Sequence, residues 1–274
     1  MANSNPPSAM ETLLRHRLSR FFANHSRWKA ALREIVSRIQ ERQWPAVVFG
    51  GVPRDLVVFG NAERPRDIDI VLDDVSVEEI RSAFCERVFR ETRFGGVNLR
   101  VEGWLIDIWP LRQTWAFREF GLPVAGFQDL PRTTFLNLEA VAVDLTVRRG
   151  QVRNIYSSGF FEGVHERVLD INFEPNPFPG LCVVRSLIMA ARLGFRIGSR
   201  LASYISNRST GMQIENLEAL QLSHYGGLRC RPETLKEWLT RISQHVQENP
   251  KQPYALPVPR EQQLHLWEQW SPTC

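Results

Sequence analysis

Apolar and polar residues follow one another along the chain in patterns that predict both strands and helices. Residues 47–49 are β-branched and aromatic and stop at Gly50 and Gly51, as a strand does at a tight turn. Residues 52–59 continue without a breaker and predict a helix. Residues 66–72 alternate charged and apolar side chains, which predicts a second strand. The predicted order of elements over residues 47–72 is therefore strand, glycine turn, helix, loop and strand.

The rest of the chain extends this pattern. A helical stretch is predicted over residues 10–44, broken near 24–26 and preceded by a disordered tail over 1–8. Ser76 and the glutamates after it predict the start of a helix that runs to about residue 89. The remaining predicted elements are strands at 97–101 and 104–109, a hairpin over 141–156, and helices at 183–195, 201–206, 213–222, 232–246 and 260–270. We therefore expect an α+β fold, in which a small mixed β-sheet with helices is followed by a small all-α domain.

Two carboxylates in the second strand are the first candidates for chemistry. Asp67 and Asp69 share one face of that strand, with apolar residues on the other face. Mg²⁺ is a natural partner for such a pair, because it binds one or two carboxylates together with substrate phosphates. The glycine turn adds the free N–H groups of a helix N-terminus, which form a site for phosphate. Together these features favour a nucleoside triphosphate site, whereas the aspartates alone would also suit a strand end at which both are solvated.

The composition narrows the class of protein without deciding it. The chain has 274 residues, of which 43% are hydrophobic and 23% are charged, as in an ordinary globular protein. No apolar run approaches the roughly 20 residues of a membrane span, and the first residues do not resemble a signal peptide. The four cysteines are scattered, which predicts reduced thiols and not a disulfide framework or a zinc site. We expect a cytoplasmic protein without a membrane partner, and the net charge of +4 is compatible with nucleic acid.

Several motifs in the same order resemble one known family, the class II tRNA nucleotidyltransferases and bacterial poly(A) polymerases, which belong to the DNA polymerase β-like nucleotidyltransferase superfamily. Pro53 stands where the family usually has valine, and proline is tolerated in a first helical turn. The likeness extends over about residues 47–195. It implies a nucleotidyltransferase head over 45–172, after an N-terminal helical extension over 1–44 and before a neck-like helical domain over 173–274. The residues that match the first motif are Gly50, Gly51, Arg54, Asp55, Gly60, Asp67 and Asp69.

The resemblance also implies which residues carry the chemistry. Asp107 is the one acid in an otherwise apolar predicted strand, where an unpaired carboxylate would be costly to bury. The superfamily places a third carboxylate on a strand beside the aspartate pair, so Asp67, Asp69 and Asp107 are implied to be both the catalytic residues and the Mg²⁺ ligands. The residues implied to bind the nucleotide are Gly50, Gly51, Arg54, Arg112, Arg132, Asn137 and Arg185.

Two later segments match the family less completely. Arg132 and Asn137 keep the spacing of the segment that holds the triphosphate and the sugar, although Thr133 and Leu138 depart from it. The helix over 183–195 resembles another family segment and carries Arg185, with isoleucine in place of a second arginine.

The implied reaction is transfer of a nucleoside monophosphate from an NTP, ATP and/or CTP, to the 3′ end of a tRNA-like RNA, with release of pyrophosphate. The Glu-Asp-x-x-Arg motif by which CCA-adding members recognise the base is not found after Phe195. Two alternatives therefore stay open. One is a nucleotidyltransferase that modifies tRNA as a toxin, or that acts on a protein or small molecule. The other is a non-catalytic relative that binds nucleotide or RNA, which the presence of all three carboxylates disfavours.

Overall fold

A computed structural model describes residues 6–23, 27–60, 65, 67–92, 94–101, 104–147 and 150–257. The chain divides into two compact units. The first comprises the residues up to 134 together with 138–161, and the second comprises 135–137 and the residues from 162 onward. None of the helices in the described part of the chain has the length and hydropathy needed to span a bilayer. The assignment of domains to 1–44, 45–172 and 173–274 stays a prediction.

A seven-stranded mixed sheet forms the centre of the first unit. Its strands lie in the order β3-β4-β5-β2-β1-β6-β7. The β2–β5 pair is parallel and the other neighbours are antiparallel. The predicted α+β class with a mixed sheet is thereby confirmed. The strands are β1 (Ala46–Phe49), β2 (Asp67–Leu72), β3 (Val88–Glu91), β4 (Val97–Val101), β5 (Trp104–Pro110), β6 (Val141–Asp144) and β7 (Ile155–Ser157).

Helices surround this sheet and fix the short helix that follows β1. That helix, α3 (Gly51–Val58), ends against α1, because the Arg17 guanidinium donates to the carbonyl oxygens of Leu56 and Val57 at 2.7 and 2.9 Å. Arginine at a helix C-terminus satisfies carbonyls that have no partner within the helix. The N-terminal helices therefore hold α3, which carries the glycine turn at its other end. The remaining helices of the first unit are α1 (Pro6–Ala23), α2 (Arg27–Glu41), α4 (Val77–Ala83) and α5 (Trp115–Phe120). Helix α6 (Phe160–Glu166) begins in the first unit and belongs to the second from Glu162 onward.

The structure corrects two boundaries in this part of the chain. Helix α1 begins at Pro6, so the predicted disordered tail is wrong for residues 6–8. Proline is accepted in the first turn because its missing N–H has no partner there. Helix α4 starts after Ser76 as predicted, with a capping box, but ends at Ala83 instead of about residue 89. The buried Phe84 closes the helix, and Val88–Glu91 pairs with β4 as an edge strand, which supplies the backbone bonds that a longer helix would have made.

The second unit is mainly helical, as predicted. Helix α7 begins at Pro179, four residues before its predicted start, and ends at Gly194, whose φ of 63° places it in the left-handed conformation of a helix C-cap. The helix predicted over 260–270 lies outside the described residues. The elements of this unit are β8 (Val168–Leu169), α7 (Pro179–Leu193), β9 (Arg196–Ile197), α8 (Ser199–Arg208), α9 (Ile214–Tyr225) and α10 (Pro232–Glu248), with β8 parallel to β9.

One buried amide holds the loop between α9 and α10. The Gln221 Oε1 accepts hydrogen bonds from the backbone N–H groups of Arg229 and Cys230, and its Nε2 donates to the Cys230 carbonyl oxygen. The Gln221 side chain is fully buried. Burial also raises the pKa of the Cys230 thiol to about 12, so this loop presents no thiolate near neutral pH.

We expect Gln221→Leu to lower the free energy of unfolding by about 2 kcal/mol, because it removes three hydrogen bonds to partly buried backbone groups of Arg229 and Cys230. Urea denaturation measures the change. The matched control is Gln247→Leu on the exposed face of α10, which should change stability by no more than about 0.5 kcal/mol. Equal stability of the two variants would contradict a stabilising role for the Gln221 hydrogen bonds.

Candidate active site

The glycine turn lies directly beside the aspartate strand. Gly50 is the N-cap of α3 and has a φ of +67°, a conformation that L side chains rarely adopt. A Cβ placed on Gly50 would lie 4.0 Å from Asp69 Oδ2 and 3.9 Å from the Glu139 carbonyl oxygen. The turn and the carboxylate, which are 19 positions apart in the sequence, therefore meet at one place.

The backbone donors of this turn come from the first turn of α3. The Gly50 N–H donates to the Val141 carbonyl oxygen at 2.9 Å, so it is already used by β6. The residue at position 53 is proline and has no N–H. Since the first N–H groups of a helix have no partner within it, those of Gly51 and Val52 are the donors that a phosphate could reach here.

The two aspartates of β2 occupy one face of the strand, as the sequence predicts. Ile68 and Ile70 are buried on the opposite face, whereas Asp67 and Asp69 are partly exposed. The parallel pairing of β2 with β5 sets Asp69 in register with Asp107. Register partners on neighbouring strands point to the same face of a sheet and lie about 5 Å apart. The fold thus brings all three predicted carboxylates to one face.

A buried amide orients the third carboxylate. Asn98 on β4 is in register with Asp107, and its Nδ2 donates to Asp107 Oδ1. The Asn98 Oδ1 in turn accepts a hydrogen bond from the Arg90 Nε on β3. Asn98 is only 2% exposed, so the amide is fixed on both sides. The sequence interpretation missed Asn98 and Arg90. The signal was available, because the amide is the one uncharged polar residue in an apolar strand next to the Asp107 strand.

The predicted arginines do not gather on one face as the carboxylates do. Arg54 is 7% exposed and lies under the glycine turn, with its Nη2 3.7 Å from the Cβ position of Gly51. Its Nε donates to Asp55 Oδ1 at 2.7 Å, and its Nη1 lies 3.7 Å from Glu139 Oε1. Arg54 therefore forms an ion-pair network with Asp55 and Glu139 that stabilises the glycine turn. Any contact of this guanidinium with a phosphate stays a prediction.

The other two predicted arginines of this unit are on its surface. Arg132 is exposed, donates to the Pro123 carbonyl oxygen and pairs with Asp129 at 3.2 Å. Arg112 is exposed in a short 3₁₀ turn that follows β5. Neither arrangement assigns a phosphate contact, so the nucleotide roles of both residues stay predictions.

Asn137 and Arg185 belong to the second unit. The Asn137 Oδ1 accepts a hydrogen bond from the Asp170 N–H at 2.9 Å, and its Nδ2 donates to the Val168 carbonyl oxygen at 3.1 Å. This amide thus has a structural task within its own unit, where it binds the strand β8 and the residue after it. Arg185 is half-buried on α7. Their predicted contacts with the nucleotide stay predictions.

The three carboxylates supply oxygen ligands, which are the ligands that Mg²⁺ prefers. In the part of the chain that the structure describes, no group of three or more His, Cys, Asp and Glu side chains is assembled closely enough to hold a metal by itself. Mg²⁺ does not require such a cage, because it keeps several waters and takes one or two carboxylates together with substrate phosphates. Asp69 and its register partner Asp107, with Asp67 on the same face, supply that donor set.

Comparison with known proteins identifies the fold. No protein-family model matches the sequence, and neither does any curated protein. A solved CCA-adding enzyme in its apo form matches with a TM-score of 0.59 and 17% identity over 88% of this chain. The complex of a CCA-adding enzyme with CTP matches with a TM-score of 0.58 and 18% identity over 90%. This chain has the CCA-adding enzyme fold. The resemblance inferred from the motifs is thereby confirmed at the level of the fold.

A third solved structure extends the comparison. A tRNA nucleotidyltransferase complexed with a primer tRNA and an incoming ATP analog matches with a TM-score of 0.54 and 16% identity over 78% of this chain. This chain spans less than two thirds of each of these proteins, covering 57% of the two CCA-adding enzymes and 61% of the tRNA nucleotidyltransferase. At such identities the likeness concerns the fold, and the activity has to be argued from this chain's own residues.

Proposed function

We propose that this chain is a Mg²⁺-dependent nucleotidyltransferase of the cytoplasm. It transfers a nucleoside monophosphate from ATP or CTP to the 3′ hydroxyl group at the end of a tRNA-like RNA and releases pyrophosphate. The observation that carries the proposal is the register of Asp69 with Asp107, beside a glycine turn at which a Cβ placed on Gly50 would lie 4.0 Å from Asp69 Oδ2. A turn for phosphate and carboxylates for a metal are the two parts that phosphoryl transfer requires of a protein.

Each part of the site has a separate task in this reaction. The N–H groups of Gly51 and Val52 bind oxygens of the triphosphate at the N-terminus of α3. Asp69 and Asp107, with Asp67 on the same face of β2, would hold Mg²⁺ together with water and phosphate oxygens, and the ion would stabilise the negative charge of those oxygens. Arg54 keeps the turn in place through Asp55 and Glu139.

Asp107 is positioned to act on the acceptor. The Asn98 amide holds one of its oxygens and leaves the carboxylate in a fixed orientation. In the proposed step the acceptor hydroxyl oxygen forms a bond to the α-phosphorus, and its proton passes to Asp107. The bond between the α-phosphorus and the oxygen that bridges to the β-phosphorus breaks, and pyrophosphate leaves with that electron pair.

The nature of the two substrates is supported by the structural neighbours and by charge. Solved complexes of CCA-adding enzymes contain CTP or ATP, and a tRNA nucleotidyltransferase complex contains a primer tRNA. We transfer these substrates to this chain as part of the proposal. A formal net charge of +4 is compatible with a polyanionic acceptor such as RNA.

Labelled nucleotides test the proposal directly. The chain is incubated with Mg²⁺, total cellular RNA, cellular protein and each α-phosphate-labelled NTP in turn. We expect ATP or CTP to label a tRNA-sized band, and EDTA to remove the label. Label on protein would overturn the RNA acceptor and favour the protein-modifying alternative. Absence of label with all NTPs would overturn the catalytic proposal.

A further inference from the structure

A cavity of about 290 Å³ opens beside two of the three carboxylates. Asp69 and Asp107 form one wall, and three aromatic side chains, Phe94, Trp109 and Trp115, line the remainder together with smaller polar groups. A volume near the lower end of the roughly 300–1,000 Å³ typical of ligand pockets suits one ring system and not a base pair. The whole cavity belongs to the first unit.

The cavity and the glycine turn lie on opposite sides of β2, the strand that carries Asp69. The turn follows β1, which pairs with one edge of β2, whereas the cavity is lined by residues of β4 and β5 on the other side of β2. Asp69 borders both places, and Asp107 borders the cavity. A triphosphate at the turn and a second molecule in the cavity would therefore meet at these carboxylates.

The aromatic walls are held in place by their own contacts. The Trp109 Nε1 donates to Thr114 Oγ1 at 3.1 Å, and its ring meets Phe49 edge-on at 6.3 Å between centroids. Gly96 allows the β3–β4 turn to approach this wall, because a Cβ there would lie 2.9 Å from Trp109 Cβ. A cavity whose flat walls are already fixed is pre-organised for a flat ligand.

Trp115 is the wall that is accessible to a ligand. It is the first residue of α5, is only partly buried, and contacts the exposed Phe120 edge-on at 5.3 Å. The next residues of the helix, Ala116 and Phe117, are buried and anchor it. The indole of Trp115 therefore contributes to the cavity without supporting the core.

We infer that this cavity is the acceptor subsite and takes the unpaired base of the 3′-terminal nucleoside of an RNA. The inference rests on the proposed function and adds the substrate class to it: a single-stranded 3′ end. Bases stack on aromatic side chains with little regard to sequence, and an unpaired end is what leaves a base free to do so. Asp107 lines the cavity, so a nucleoside bound there lies beside the carboxylate that takes the 3′ hydroxyl proton in the proposed step.

Photocrosslinking tests the placement without requiring catalysis. A hairpin RNA with a short single-stranded 3′ overhang ending in 4-thiouridine is mixed with the full-length protein and irradiated, and the crosslinked peptide is sequenced by mass spectrometry. We expect the crosslink at Phe94, Trp109 or Trp115, and at most about a tenth of the yield with a blunt hairpin whose terminal 4-thiouridine is paired. A crosslink that maps elsewhere, or equal yields from both hairpins, would overturn the inference.

Kinetics give the second test, on a wall residue that the core does not need. We expect Trp115→Ala to raise the KM for the overhanging RNA about tenfold and to leave the KM for the NTP within about twofold, with Trp115→Phe restoring most of the affinity. The control is Phe89→Ala, which removes an aromatic ring that is 50% exposed on β3 outside the cavity. A rise in the KM for the NTP instead would assign the cavity to the nucleotide base and overturn the acceptor assignment.

The two tests separate the inference from the proposed function. If the protein transfers nucleotide but both cavity tests fail, the acceptor subsite is wrong and the function stands. If the crosslink maps to the cavity and no NTP is transferred, the RNA-end subsite stands and the catalytic proposal is wrong. Label on protein in the transfer assay, with no RNA crosslink in the cavity, would overturn both the acceptor class and its subsite.

Discussion

The Asp69→Asn variant should lose at least about 10³-fold in the rate of nucleotide transfer while it remains folded. Asp69 is the carboxylate on which the site converges, because it borders the glycine turn and is in register with Asp107. Asparagine keeps its shape but removes the charge that a divalent cation requires, and loss of several kcal/mol of charge stabilisation corresponds to this factor in rate. Mg²⁺-dependent binding of NTP should weaken in parallel.

Transfer assays and melting curves together measure this effect. The matched control is Asp74→Asn, an exposed aspartate just beyond β2 whose φ of 56° asparagine also tolerates. It should retain full activity. The melting temperature of Asp69→Asn in EDTA should be no lower than that of the wild type, because the substitution relieves repulsion between neighbouring carboxylates. An active Asp69→Asn protein would contradict the metal-binding role of this residue.

The site shows which of its parts the sequence could predict. The alternation over residues 67–70 and the glycine pair each depend on neighbours in the sequence, and the structure has the strand and the turn as predicted. The register of Asp69 with Asp107 joins residues 38 positions apart through a parallel pair, which no local pattern encodes. The lone acid in an apolar strand and the resemblance to a family both pointed to Asp107, and the resemblance also placed it on a strand beside the aspartate pair. Neither predicted the parallel register with Asp69.

Long-range packing also explains what the sequence interpretation missed. Asn98 reads as an ordinary strand residue until β4 pairs with β5 and sets its amide against Asp107. Residues 88 and 89 read as the end of a helix, but the edge of the sheet offers backbone partners to residues 88–91. In both cases a tertiary contact decides between local alternatives of similar stability. The cavity of the acceptor subsite arises in the same way, from a turn, a strand and a helix that meet only in the fold.

The second large effect concerns Arg54, for which the motif and the structure suggest different tasks. The motif implies a phosphate contact, whereas the structure buries the guanidinium against Asp55 and Glu139. Removing the buried guanidinium takes this cationic partner away from Asp55 and Glu139, and breaking a buried ion pair in this way typically costs about 3–5 kcal/mol. We therefore expect Arg54→Met to lower the free energy of unfolding by about 4 kcal/mol.

Urea denaturation followed by tryptophan fluorescence measures this loss, with Arg118→Met on the exposed face of α5 as the control for removal of a charge. Adding Glu139→Gln and Asp55→Asn to Arg54→Met should recover part of the stability, because the uncompensated carboxylates are then gone. A structural task also predicts that the remaining folded Arg54→Met protein binds NTP nearly as the wild type does. If instead Arg54→Met is as stable as the wild type and only its KM for NTP rises, the guanidinium contacts the triphosphate. The contacts of the turn with β6 and of α3 with Arg17 would then suffice to keep the turn in position, since those interactions persist in the variant.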